Sequence, residues 1–130
     1  MSNSNKDNPR EISSRIHTLS SKAEDRLSEF STPDNLPDEQ RALGFLTEGV
    51  GQAIKIYIDL HATDQDIRLS TTDQAKLENA MNTYLMLYAK CYGRDITPEF
   101  SIREAAEIFI DTHNIRDTAQ ILTQIPDTTH

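Results

Sequence analysis

Residues 101–126, SIREAAEIFIDTHNIRDTAQILTQIP, carry two helix starts in one short stretch, and their reading decides the fold class. Ser101 and Glu104 have the spacing of a capping box, in which a hydroxyl accepts from the third helical amide and a carboxylate reaches back to the cap. Ile102, Ala105, Ala106 and Phe109 follow at intervals of three and four, the period of one helical face. Asn114 and Asp117 repeat the cap spacing, and Ile115, Ala119, Leu122 and Ile125 make a second stripe that Pro126 closes. Asn114 is the residue of the break best able to take a left-handed conformation. Two short amphipathic helices joined by a polar break form a helical hairpin, and no alternating β pattern occurs elsewhere in the chain.

The same periodicity extends upstream. Leu77, Met81, Tyr84, Tyr88 and Cys91 advance in steps of four and three towards Gly93, the expected stop of a third helix. A hydroxyl of STTD, residues 70–73, caps its start, with Asp73 near the positive end of the helix dipole. Residues 37–62 carry a broader apolar surface: Leu43, Leu46, Val50, Ile54, Tyr57 and His61 on one stripe, Phe45, Ile56 and Leu60 on the next. Pro37 suits the first turn of that helix. Gly49 and Gly51 each cost about 1 kcal/mol against alanine in a helix interior, so with Ala42 and Ala53 nearby they are read as a tight crossing point, a kink being the alternative. Before Pro33 and Pro37, a narrow stripe of Ile12, Ile16, Leu19, Ala23, Leu27 and Phe30 defines a first helix that needs neighbours to hold its shape. The expected fold is an all-α antiparallel bundle of four to five helices. Its second and third helices make a central long hairpin, and the last two a short C-terminal hairpin across one end.

With 130 residues the chain has the length of one domain. Residues 9–125 are expected to form it, with residues 1–8 and 126–130 as loose polar tails. Twenty-one acidic against 13 basic residues leave a net charge of −8, which repels phosphate backbones and anionic membranes. A lone cysteine, no apolar run at the start and no stretch approaching the ~18 apolar residues of a membrane span place the expected compartment in the cytoplasm.

The hairpin at 101–122 also has the outline of a helix-turn-helix, in which Arg103, Arg116 and Gln120 would reach DNA. Its charge opposes that use: Glu99, Glu104, Glu107, Asp111, Asp117 and Asp127 stand against two arginines. Asp64, Asp66 and Ser70 resemble the start of a calcium loop, but Leu69 and Ala75 occupy its glycine and glutamate positions. Tyr57, His61, Tyr84, Tyr88, Cys91 and Tyr92 are candidates to line a small-ligand pocket, although aromatic residues at helical spacing more often build core. The histidines lie in separate segments, Cys91 sits in an apolar run that suits an inert thiol, and no nucleophile or nucleotide motif occurs; neither metal, cofactor nor catalysis is expected.

What remains is apolar surface beyond what a small bundle needs, at Phe45, Ile56, Leu60, Ile108 and Ile110. The function expected is a noncatalytic cytoplasmic interaction module: an adaptor, small regulatory subunit or inhibitor. It would self-associate as a homodimer or meet a protein with a basic face. A DNA-binding regulator and a small-ligand-binding protein are the alternatives.

Overall fold

The computed structural model describes residues 9–62 and 68–126, and every regular element among them is helical, as expected of an all-α bundle. Five helices follow in order. Helix α1 is Pro9–Glu29. Helix α2, 39–62, runs as α-helix over Glu39–Phe45, passes through a π-helical turn at Leu46–Val50 and resumes over Gly51–Ala62. Helices α3, Thr71–Lys90, α4, Ile102–Thr112, and α5, Ile115–Thr123, complete the chain. Asp64 and Asp66 of the calcium-loop reading lie outside the described residues.

The caps act largely as their spacing dictates. Ser70 accepts from the Asp73 amide at 3.0 Å, Ser101 from Glu104 at 3.0 Å and Asn114 from Asp117 at 3.0 Å. Each satisfies an amide that the first helical turn leaves without a backbone partner. At the start of α2 the cap is Asp38, which accepts from the Arg41 amide at 3.1 Å, so Pro37 stands outside the helix instead of filling its first turn. The Asp38 amide donates to the Cys91 carbonyl at 2.8 Å and ties the start of α2 to the end of α3. Gly93 ends that neighbourhood with a φ of 74°, the left-handed conformation that glycine adopts without strain.

The turn of the C-terminal hairpin departs from expectation. His113, not Asn114, takes the left-handed conformation, with φ 54° and ψ 28°. Asn114 stays extended because an N-cap needs that geometry for its side chain to reach the Asp117 amide. The two requirements fall on adjacent residues, and the cap decides which one turns.

Helix α3 is the axis of the fold and touches all four other helices. Besides the anticipated seam, Ala80, Leu85, Leu87 and Ala89 are buried, so α3 is enclosed on most of its circumference. Helix α1 lays Ile12, Ile16, Leu19 and Ala23 against this axis and against α2, and Leu27 remains 39% exposed. Helices α2 and α3 do pack together, but α1 against α3 is as much a part of the centre as that pair.

Gly49 explains how α2 approaches so closely. A Cβ there would overlap the Tyr84 ring, and the π turn that contains it, closed by the Gly51 amide on the Leu46 carbonyl, carries one residue more than an α-turn. Gly49 is therefore a packing point. Gly51 lies beside the Ile115 side chain and leaves room for the start of α5.

Candidate functional site

The residues singled out from the sequence fall into four places. Phe45, Ile56 and Leu60, expected on an outward face, are instead core at 8%, 3% and 5% exposure. Phe45 sits between the Phe30 and Tyr84 rings, each 6.2 Å away between centroids. Ile56 shares the lining of a groove with Leu19 of α1, and Leu60 that of a cavity with Ile102 of α4. The partners that cover this second stripe of α2 are distant in sequence, so a local pattern cannot reveal them. Ile108 is half-buried against the core, whereas Ile110 is 54% exposed.

The proposed aromatic pocket divides into three. Tyr84 is fully buried, and its hydroxyl donates to Glu48 at 2.7 Å. Glu48 also accepts from Arg26 at 2.6 and 3.1 Å, so one carboxylate joins α1, the π turn of α2 and α3. The Arg26 hydrogen bond holds the Glu48 carboxyl below its ordinary range, while desolvation and the bond to Glu48 push the Tyr84 phenol well above its own. Tyr88 is also buried, and its hydroxyl donates to the Ile125 carbonyl at 2.6 Å, clamping the chain after α5 onto α3. Tyr92 tilts against Tyr88 with centroids 5.3 Å apart. Cys91 is buried and unbonded to another cysteine, and desolvation pushes its thiol up to about 11. These four side chains belong to the interior and its rim.

Tyr57 and His61 form the third part, a tilted pair with ring centroids 4.4 Å apart at the end of α2. They stand at one side of a cavity of about 430 Å³ between that end and the first turns of α3 and α4. Leu60, Leu69 and Ile102 supply its apolar lining, while Arg68, Arg103, Glu78 and Gln74 supply its charged and polar lining. Glu78 accepts from the Ile102 amide at 3.0 Å, which fixes its carboxylate at the base of α4. Arg103 pairs with Glu107 at 3.1 Å on the outer face of that helix. Sequence reading found the Tyr57–His61 pair but did not join it to Arg68 and Arg103, which line the same cavity only once the chain is folded.

The three residues of the DNA reading have separate roles. Arg103 lines that cavity, Gln120 donates to the Pro126 carbonyl at 2.9 Å, and Arg116 is exposed at the start of α5. No group of three or more His, Cys, Asp or Glu side chains placed to hold a metal ion occurs among the described residues. No helix among them is long and apolar enough to cross a membrane.

One outward residue escaped notice in the sequence. Ile121 on α5 is 49% exposed, and its departure from the Ile115–Ala119–Leu122 stripe was the available signal. With Ile110 it gives each helix of the C-terminal hairpin an isoleucine turned to solvent.

Together these features define a small helical bundle with a C-terminal hairpin carrying exposed isoleucines and a cavity at the opposite end of α4. A family model described as "Domain of unknown function (DUF8055)" matches residues 10–127, and the chain belongs to that family. No curated protein and no solved structure matches the chain.

Proposed function

We propose that this protein is a noncatalytic interaction module that self-associates through its C-terminal hairpin. The observation that carries the reading is the exposure of Ile110 and Ile121 on a hairpin whose remaining apolar stripes are already used in closing the bundle. Isoleucine left half in water on each of two adjoining helices is apolar area that a second copy can remove from solvent. Charge sets the conditions. Two copies of net charge −8 repel each other, so association strengthens as salt screens them.

The acidity of the hairpin favours a second reading, in which the occupant is a different protein with a basic face. Between residues 99 and 127 six carboxylates oppose two arginines. Such a complex weakens as salt rises, the opposite of self-association. Chemical cross-linking over a salt series separates the two: a dimer band that grows with salt supports the first reading, and a band that never forms removes it. Ile110→Asp should abolish the band while leaving the helical circular-dichroism signal unchanged, because Ile110 is not part of the core.

A further inference from the structure

We propose that the cavity between the end of α2 and the first turns of α3 and α4 binds a flat, uncharged ring compound bearing an amide-like hydrogen-bonding group. Its volume, about 430 Å³, falls within the range of sites that hold small organic ligands. The charged part of the lining is already committed within the protein. Arg103 pairs with Glu107 at 3.1 Å, Arg68 is engaged in the fold, and Glu78 accepts from the Ile102 amide at 3.0 Å. The Ser101 hydroxyl accepts from the Glu104 amide at 3.0 Å. An ion entering here would give up water without meeting an uncommitted counter-charge, so the lining selects against charge.

Three polar side chains of the lining are left open. The Tyr57 hydroxyl, the His61 imidazole and the Gln74 amide have no hydrogen-bond partner among the described residues. Phenol, imidazole and amide between them both donate and accept, which matches a ligand group that does the same. Shape is set by the rest of the lining. The Tyr57 and His61 rings, 4.4 Å apart between centroids and tilted by 53°, give aromatic surface, and Leu60, Leu69 and Ile102 give apolar walls. Aromatic surface favours another flat ring in offset or edge-on contact.

The groove between α1 and α2 offers no equivalent. Ser14, Thr18 and Gln52 supply polar groups there, but its lining contains no ring. The ligand site is independent of the hairpin, whose exposed isoleucines do not line this cavity.

Benzamide is the direct probe, with benzoate as the same body carrying a charge and cyclohexanecarboxamide as the same amide on a body that is not flat. Titrated into the full chain at millimolar concentration, benzamide should shift the backbone amide resonances of Tyr57, His61, Leu69, Gln74 and Ile102 in a saturable way. Benzoate and cyclohexanecarboxamide should shift them several-fold less. Gln74→Ala, at an exposed position, should weaken benzamide binding about fivefold, the effect of losing one hydrogen bond between uncharged groups. His61→Leu, also at an exposed position, should weaken it through loss of the ring, while Lys22→Gln in the other groove binds as the parent does. Unmoved resonances, an equal response to benzoate or to cyclohexanecarboxamide, or full binding by either cavity variant would each overturn the proposal.

Discussion

Gly49 and the side chains around it show how much one position can decide. The Tyr84 ring fills the space where a Cβ would stand, and above it the Tyr84 hydroxyl meets a carboxylate held by Arg26. Gly49→Ala should therefore destabilise the fold by about 2 kcal/mol, the scale of core overpacking, even though alanine is the better helix former; a melting temperature at or above the parent's would refute this. Glu48 predicts a pH dependence. Its folded pKa is depressed, so the stability it contributes is fully present above the unfolded carboxylate value of about 4.3 and is lost as pH falls through the folded value. The melting-temperature gap between parent and Glu48→Gln should accordingly narrow below about pH 4. The Cys91 thiol, buried and pushed up to about 11, should resist a thiol reagent at pH 8 in the native state and react once the chain unfolds. The burial of this thiol was legible from its apolar setting. The Arg26–Glu48–Tyr84 link was not, because 22 and 36 residues separate Glu48 from its partners and no local pattern marks them.

The helices were legible where their ends carry side-chain chemistry. Ser101 and Asn114 cap the helices they were assigned to, and Ser70 is the capping hydroxyl among residues 70–73, since a capping bond spans three residues and leaves its spacing in the sequence. Losing one such bond should cost about 1 kcal/mol, so Asn114→Ala should lower stability in chemical denaturation by that amount. His113 offers the opposite change. It holds a left-handed conformation that costs a non-glycine residue, and His113→Gly should raise stability by roughly 0.5 kcal/mol after the extra chain entropy of glycine is subtracted. The start of α2 was misplaced by two residues because Pro37 fits a first turn and Asp38 fits a cap, and only the bond from Arg41 to Asp38 distinguishes them. The π turn at Leu46–Val50 had a sequence trace in Gly49 and in Gly51, which follows it, but that trace did not specify a turn type.

At the scale of the whole molecule, apolar periodicity gave the all-α bundle, and the order of burial within it depended on contacts between distant segments. Phe45, Ile56 and Leu60 have the pattern of surplus surface and are core, because residues distant in sequence, Phe30 and Tyr84 of α3 for Phe45 and side chains of α1 and α4 for the other two, meet faces of α2 that a local stripe cannot assign. Ile110 looked outward and is outward. The candidate site was thus only partly legible: periodicity shows which residues leave a helix's main stripe, not which of them a neighbour will cover. The chain's charge, visible in composition alone, supplies the environment in which the hairpin must associate. Light scattering coupled to size-exclusion chromatography, run on the parent and on Ile110→Asp/Ile121→Asp over a salt series, tests the central claim most directly. A mass that rises from monomer to dimer with salt in the parent and stays monomeric in the variant is the predicted result; a parent that remains monomeric at every salt and protein concentration contradicts it.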